Sequence, residues 1–298
     1  MSGPSIAPVS NTICNNPAAD RVEFGTSADG FPVARIGDIL LGLITSGNGD
    51  FFLASAWRFT KPLAEARRHH FYRHDGRVAD EAAFRLRAIE TAEHMSELAA
   101  FARVQTRMTA STPWGGSQMA TIYVDGIVSH STSGHGGFHL SPDRNRLVDA
   151  SVRSEGGWYE EDCEWAIVAL TFLDLFTGYE RRCAEEIAKH TFPAFWEKLR
   201  GRRLEPGESR SKDHLSFGRA DANDWIVISA TASSHHAGMI EVIATKGGNR
   251  EFCQEELRFL VPDTEYSKRS SFGFIIDLQL HTLYEGPSSF AGWSARAA

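Results

Sequence analysis

Two glycines separate two histidines near the middle of the chain, and this short segment constrains the local fold strongly. His135 and His139 have the four-residue spacing of the two metal ligands in a helical H-E-x-x-H motif. Gly136 and Gly137 disfavour a helix here, because glycine is among the poorest helix formers. In an extended strand the two histidines lie about 13 Å apart, at roughly 3.3 Å per residue, too far to share one metal ion. A shared ion would need a tight turn at the glycines, which glycine permits.

Two interpretations of this segment stay open. In the first, a glycine loop packs closely against another part of the backbone, and the histidines form hydrogen bonds with nearby main chain. In the second, at least one histidine is a catalytic or ligand residue. A histidine paired with a carboxylate is the usual unit of general acid–base catalysis, so the second interpretation directs attention to nearby acids.

A dense acidic run lies about twenty residues further along the chain. It contains Glu160, Glu161, Asp162 and Glu164. Closely spaced carboxylates repel one another unless they are protonated or paired with cations. One explanation is that acids favour the first turn of a helix and pair with arginines such as Arg144, Arg146 or Arg153. The other is an acid–base site or a divalent-metal site, since carboxylates together with histidine suit such ions.

The candidate catalytic residues are therefore His135, His139, Glu161 and Glu164. No residue is assigned as a metal ligand from the sequence, and the cofactor is left open. The glycine-rich segment from Ser131 to Gly137 also resembles an anion-binding loop, because successive backbone N–H groups can cradle a phosphate. It lacks the lysine of the Walker motif, which argues against a nucleoside triphosphatase. The candidate binding residues are Trp114, Ser131, Thr132, Gly136, Gly137 and Arg144.

The pattern of apolar residues and turn signals predicts an α+β fold. It has a helical and mixed N-terminal half with a buried central helix, and an antiparallel β meander in the C-terminal part. The expected regions are a flexible tail at 1–20, a mixed region with a long helix at 21–110, a central α+β domain at 111–200, a linker at 201–213 and an antiparallel β region at 214–298.

Individual elements follow from the same patterns. Helices are expected over 61–106, 158–176 and 179–199, and a hairpin is expected around Asp125-Gly126. The acids at 160–162 are expected in the first turn of the second helix, where the helix dipole favours them. Strands are expected over 225–230, 239–245, 252–260 and 272–280.

Composition excludes several classes of protein. A formal charge of −7 over 298 residues argues against a general attraction to nucleic acid, although ARRHHFYRH at 66–74 mixes cations with aromatic rings in a way that suits single strands. The four cysteines form no C-x-x-C pair, and the N-terminus does not resemble a signal peptide. No run approaches the ~20 apolar residues of a membrane helix, so we expect a cytoplasmic protein without a membrane partner.

Three sequence segments, in this order along the chain, resemble segments of a known family: TPWGGSQ, SHSTSGHGGFHLSPDR and WYEEDCEWAIVALTF. Together they span roughly residues 111–176 and are similar to a domain of unknown function found in proteobacterial phage and plasmid proteins. The resemblance implies a mobile-element setting in a bacterial cytosol, and it implies no reaction.

The expected function is a mobile-element accessory protein that binds a host or phage macromolecule, with an anti-defence role consistent with that setting. A host or phage protein is the expected partner, and nucleic acid is the less favoured one. The alternative is a hydrolase or phosphoryl-transfer enzyme that uses a His/carboxylate site, with metal assistance as an option.

Overall fold

The computed structural model describes residues 18–250 and 255–292. In these ranges the chain has the predicted α+β fold, with helices and antiparallel sheets. It forms two compact units, Met1–Glu186 and Ile187–Ala298. Most of the expected tail at 1–20 lies outside the described residues. None of the described helices is long and apolar enough to cross a lipid bilayer.

The first unit begins with a five-stranded antiparallel meander whose spatial order follows the chain. Its strands are β1 (Glu23–Thr26), β2 (Pro32–Ile36), β3 (Ile39–Thr45), β4 (Phe51–Trp57) and β5 (Arg73–Arg77). Alternate residues of β2 and β3 point to opposite faces, as the period of a strand requires. One face therefore carries Ala34, Leu41 and Leu43 into a buried core, while Val33 and Leu40 join a second apolar cluster on the other face.

The long helix α1 (Glu81–Ala100) covers the first of these faces. Asp80 caps its N-terminus by accepting the Ala83 N–H at 2.8 Å. The buried stripe of the helix is Phe84, Ala88 and Ala92, at the four-residue spacing of one helix face. Two of these three residues are alanine, and their small size lets the helix axis approach the sheet closely.

The predicted helix over 61–106 is wrong at both ends. Residues 63–65 and 68–70 form short 3₁₀ turns, and 73–77 form the edge strand β5. Leu63 is buried against the second apolar cluster, so packing overrides the helical propensity of this stretch. After Ala100 the chain leaves the helix, and Arg103 forms a bidentate pair with Glu180 at 2.9 and 2.7 Å.

A second antiparallel sheet completes the first unit, with the strand order β12-β11-β10-β9-β6. Its strands are β6 (Val104–Thr106), β9 (Met119–Val124), β10 (Ile127–Ser131), β11 (Gly136–Leu140) and β12 (Trp158–Glu160). A small hairpin of β7 (Ser111–Thr112) and β8 (Gly115–Gly116) precedes β9. The predicted turn at Asp125-Gly126 is confirmed, and Gly126 has a φ of 79°. Ser141 caps the short helix α2 (Pro142–Asn145), which starts with proline.

The buried helix predicted over 158–176 is present but shorter, as α3 (Trp165–Thr171). Ala166 to Leu170 are all buried, which confirms its central position. Its predicted start is wrong, because 158–160 form a strand that pairs with β11. Tyr159 is fully buried and donates a hydrogen bond to Asn145 Oδ1 at 2.6 Å, which anchors the strand. The acids at 160–162 therefore precede the helix and do not form its first turn.

Helices and then a four-stranded antiparallel sheet follow. The helices are α4 (Gly178–Thr191), which crosses the boundary between the units, α5 (Pro193–Arg200) and α6 (Arg210–Ala220). The predicted helix over 179–199 is interrupted before Pro193, because proline lacks the N–H that would continue the ladder. The expected linker at 201–213 contains the start of α6, where Ser209 Oγ accepts the Lys212 N–H at 3.4 Å.

The predicted C-terminal meander is confirmed. It consists of β13 (Trp225–Ala232), β14 (Met239–Lys246), β15 (Leu257–Pro262) and β16 (Thr282–Leu283), with the short helix α7 (Asp263–Tyr266) after β15. The strand predicted over 272–280 is wrong, since that segment makes an isolated bridge between Ile275 and Ile226. Of the strand predicted over 252–260, residues 257–260 lie in β15 and residues 255–256 do not, while residues 252–254 lie outside the described ranges.

A buried ion pair organises this second sheet. Glu241 is 0% exposed and Arg258 is 5% exposed. Arg258 donates to Glu241 at 2.7 Å, the Ser288 hydroxyl donates to it at 2.9 Å, and the Ser289 N–H donates to it at 2.8 Å. Burial alone would raise the pKa of Glu241, but the hydrogen bonds from Arg258 and Ser289 hold that pKa below its usual value. The pair therefore fastens the segment around Ser288 onto the sheet.

Replacing Arg258 by methionine should lower the free energy of unfolding by about 3–5 kcal/mol, because it leaves a buried carboxylate without its cation. Urea denaturation followed by tryptophan fluorescence measures this loss. Arg202→Met, which breaks the surface pair with Glu208 in the same unit, is the control and should change stability little. Equal small effects of both substitutions would contradict the assignment.

Candidate functional site

The glycine–histidine segment forms the strand β11, between β10 and β12. Gly137 pairs with His130 on one side and with Glu160 on the other, and His139 pairs with Trp158. Residues that pair directly across a sheet share a face. His130, His139, Trp158 and Glu160 therefore lie on one face of the sheet, while Phe138 and Leu140 point into the core on the other.

Gly136 and Gly137 each leave no room for a side chain, because other atoms approach their Cα atoms closely. A Cβ atom on Gly136 would lie 2.5 Å from Glu161 Oε2 and 2.7 Å from the His130 carbonyl oxygen. A Cβ atom on Gly137 would overlap the Tyr159 carbonyl oxygen and the indole ring of Trp114. The glycines thus admit an acidic side chain at one position and an aromatic ring at the other.

Three potential ligand groups meet where β11 begins and β12 ends. One nitrogen of His135 and one carboxylate oxygen each of Glu160 and Glu161 all lie within 4.8 Å of one another. His135 Nδ1 is 3.7 Å from Glu160 Oε1. That oxygen is shielded from solvent and accepts no hydrogen bond from the described residues, whereas Glu160 Oε2 accepts the Asp162 N–H at 2.7 Å. We call these three residues the His135 cluster.

The arginines expected to neutralise the acidic run bind elsewhere. Arg144 donates to the Asp125 carbonyl oxygen at 3.2 Å, and Arg153 donates to the Val148 carbonyl oxygen at 3.0 Å. Arg146 pairs with Asp143. In residues 18–250 and 255–292, no arginine or lysine pairs with the carboxylates of the acidic run. The negative charge of the His135 cluster is therefore available to a cation.

The other two candidate catalytic residues, Glu164 and His139, do not belong to the His135 cluster. Glu164 accepts the Glu160 N–H at 2.9 Å and so holds the end of β12 in place. The ring of His139 packs on Trp158, with 4.4 Å between ring centroids. Because β11 is extended, His139 is carried away from His135, and these two histidines do not share a ligand position.

The candidate binding residues divide into three locations. Trp114 lies over Gly137, and Gly136 and Gly137 form the floor of the site. Thr132 closes the turn before β11: its Oγ1 accepts the His135 N–H at 3.2 Å and the Gly134 N–H at 3.4 Å. These N–H groups therefore bond within the turn.

Two further candidates lie at opposite ends of β10. Ser131, at the end near His135, pairs with Gly136 and is exposed. Arg144 lies at the other end of the strand, beside the Asp125-Gly126 turn. The structure therefore places Ser131 beside the His135 cluster and separates Arg144 from it.

An aromatic face adjoins the His135 cluster. Trp114 and Trp158 meet edge to face at 5.8 Å, and His130 lies 5.4 Å from Trp158. His130 Nδ1 is 3.1 Å from Ser117 Oγ. Burial lowers the pKa of His130, and the neighbouring His139 lowers it further. Burial also lowers the pKa of His139, so both rings are neutral at pH 7.

A family model matches this part of the chain. Residues 107–222 are similar to a domain of unknown function, DUF7007. We call these matched residues the DUF7007 domain. The match confirms the predicted resemblance to a domain of unknown function and extends it beyond residue 176. No curated protein and no solved structure matches the chain. The His135 cluster lies wholly within the DUF7007 domain.

Glu160 is the member of the cluster that the choice of candidate residues missed. The sequence carried a signal for it, because Trp158, Tyr159 and Glu160 follow a glycine pair and alternate as a strand does. In that reading, Glu160 shares a face with Trp158, and Tyr159 points inward. The assignment of 158–176 to a helix concealed this alternation.

Gly137→Ala should destabilise the DUF7007 domain by at least about 2 kcal/mol, because the added methyl group displaces the backbone of β12. Thermal denaturation followed by circular dichroism measures the loss. Gly134→Ala is the matched control, since a Cβ atom there meets nothing within 4 Å. A Gly137→Ala variant as stable as the control would show that the close approach is not required.

Proposed function

We propose that the DUF7007 domain binds a divalent metal ion at the His135 cluster and uses it to hydrolyse an ester or phosphoester. The convergence of one imidazole and two carboxylates within 4.8 Å carries the proposal. A ligand set of imidazole nitrogen and carboxylate oxygen suits Zn²⁺ or Mn²⁺.

The spacing of the cluster is close to what a metal requires. Ligand atoms at about 2.1 Å from a tetrahedral ion lie about 3.4 Å from one another. His135 and Glu161 are exposed, so their side chains can close the difference by rotation without disturbing the core. Glu160 is more buried, and its solvent-shielded Oε1 without a hydrogen bond is the atom that gains most from a cation.

Three protein ligands suit catalysis better than a purely structural role. Structural zinc sites usually have four protein ligands, whereas catalytic sites have three and keep a position for water. An ion held by His135, Glu160 and Glu161 would lower the pKa of a water in that position and so supply a nucleophile near neutral pH. In hydrolysis, the water oxygen would form the new bond to the carbonyl carbon or phosphorus, the bond to the alcohol oxygen would break, and the alcohol would take its proton from solvent.

Access to the cluster favours a large or extended substrate. The side chain of His135 is 60% exposed, and the aromatic face with Trp114 and Trp158 continues from it. The role as a mobile-element accessory protein that binds a host or phage macromolecule stays a prediction, because it follows from the resemblance alone.

Glu161→Gln should weaken Mn²⁺ or Zn²⁺ binding at least about tenfold, because it removes one anionic ligand while preserving the shape of the side chain. Isothermal titration calorimetry measures the affinity. Hydrolysis of bis(p-nitrophenyl) phosphate and p-nitrophenyl acetate should require the metal and fall in parallel with its affinity.

Asp162→Asn is the matched control, because it makes the same change of charge next to the cluster without altering a ligand. It should retain metal affinity and hydrolysis. Equal losses of metal affinity in Glu161→Gln and Asp162→Asn would show that only the overall negative charge matters, and would contradict the proposed metal site. Metal binding without hydrolysis of either ester would leave a metal site and remove the proposed reaction.

A further inference from the structure

A groove lies in the first unit, between α1 and the β4–β5 end of the first sheet. All of its lining residues except Tyr179 lie outside the DUF7007 domain. Its volume is about 590 Å³, which falls within the range of small-molecule sites. Helix α1 packs on β2 and β3 and leaves the inner surface of β4 and β5 beside it open. Leu41 and Leu53 form part of its apolar floor, and Tyr179 closes one side.

Aromatic rings at the groove are unusually accessible. Trp57 is 50% exposed and Tyr72 is 67% exposed. The Tyr72 ring is held in position, because its Oη accepts the main-chain N–H of Trp57 at 2.9 Å. Two exposed rings beside one groove offer stacking surfaces for a planar ligand.

The side chains of Ser55 and Asp75 in the groove can accept further hydrogen bonds. Ser55 is only 9% exposed, and its hydroxyl makes no hydrogen bond with any described residue. The Asp75 carboxylate is one quarter exposed and has a single contact among the described residues, with Arg73 at 3.5 Å. Both groups are therefore available to form hydrogen bonds with a ligand in the groove.

His94 supplies a donor on the helix side of the groove. Thr177 Oγ1 accepts the Glu180 N–H at 3.1 Å and lies 2.8 Å from His94 Nδ1. Because Thr177 is fully buried, its hydroxyl donates its hydrogen to His94 Nδ1. Nδ1 then carries no proton, so the proton of a neutral His94 is on Nε2. Burial, the largest influence, lowers the pKa of His94 and keeps the ring neutral. No described residue accepts a hydrogen bond from Nε2.

We propose that this groove binds a nucleobase, stacked on Trp57 and Tyr72 and hydrogen-bonded through its edges. Asp75 accepts an amino or ring N–H, His94 donates to a ring nitrogen or carbonyl oxygen, and the Ser55 hydroxyl can do either. The guanidinium of Arg73, 71% exposed at the groove, lies where it can meet an attached phosphate. Tyr72 and Arg73 belong to the ARRHHFYRH segment, whose mixture of cations and rings suits this ligand.

The base can come from a free nucleotide or from a single-stranded nucleic acid, and calorimetry of the full chain separates these sources. The probes are the 5′-monophosphates of adenosine, guanosine, cytidine and uridine, a short single-stranded oligonucleotide containing all four bases, ribose 5-phosphate and decanoate. The titrations contain EDTA, so the result does not depend on the His135 cluster. At least one monophosphate or the oligonucleotide should bind, and ribose 5-phosphate, which lacks a base, should not.

Asp75→Asn and Ser55→Ala should each weaken that binding about tenfold, as expected for the loss of one hydrogen bond to the base. Asp50→Asn is the matched control, because Asp50 is an exposed aspartate paired with Arg77 and does not line the groove. If Ser55→Ala fails to fold, the Asp75→Asn variant, whose side chain is partly exposed, decides alone. Binding of ribose 5-phosphate or decanoate alone, no binding at all, or equal binding by Asp75→Asn and wild type would overturn the proposal.

Discussion

The candidate site depends on the absence of two side chains. At Gly136 the backbone approaches Glu161 so closely that a methyl group would lie 2.5 Å from its carboxylate oxygen. At Gly137 the missing methyl group makes room for Trp114 and for the main chain of β12. Because β12 can therefore pair with β11, the acids that follow Tyr159 are brought to the turn that carries His135.

The electrostatics of the His135 cluster follow from this pairing. Glu160 lies on the open face of the sheet because Tyr159 points into the core, and Glu161 follows it past the end of the strand. Main-chain N–H groups stabilise part of this charge, since Asp162 donates to Glu160 and Glu160 donates to Glu164. One oxygen of Glu160 is left shielded and without a hydrogen bond from the described residues, an arrangement that a bound cation stabilises.

The sequence predicted the features that are encoded locally. The α+β class, the Asp125-Gly126 hairpin and the C-terminal meander each follow from turn or alternation signals within a few residues. Prediction failed where distant packing decides the structure. Leu63 is buried by a sheet that the 61–106 pattern does not contain, and Trp158 belongs to a strand because β11 offers it a partner. Glu160 and the groove residue Ser55 gain their significance from neighbours far away in the chain.

The most direct test of the His135 cluster is paramagnetic line broadening by Mn²⁺ in ¹H–¹⁵N correlation spectra of the folded protein. Substoichiometric Mn²⁺ broadens signals in proportion to the inverse sixth power of their distance from the ion, so the pattern locates the bound metal. We expect the earliest losses at the amides of His135, Glu160 and Glu161, with those of β1, in the other sheet of the same unit, unchanged. Broadening spread evenly over surface carboxylates, or centred away from these three residues, would contradict the site.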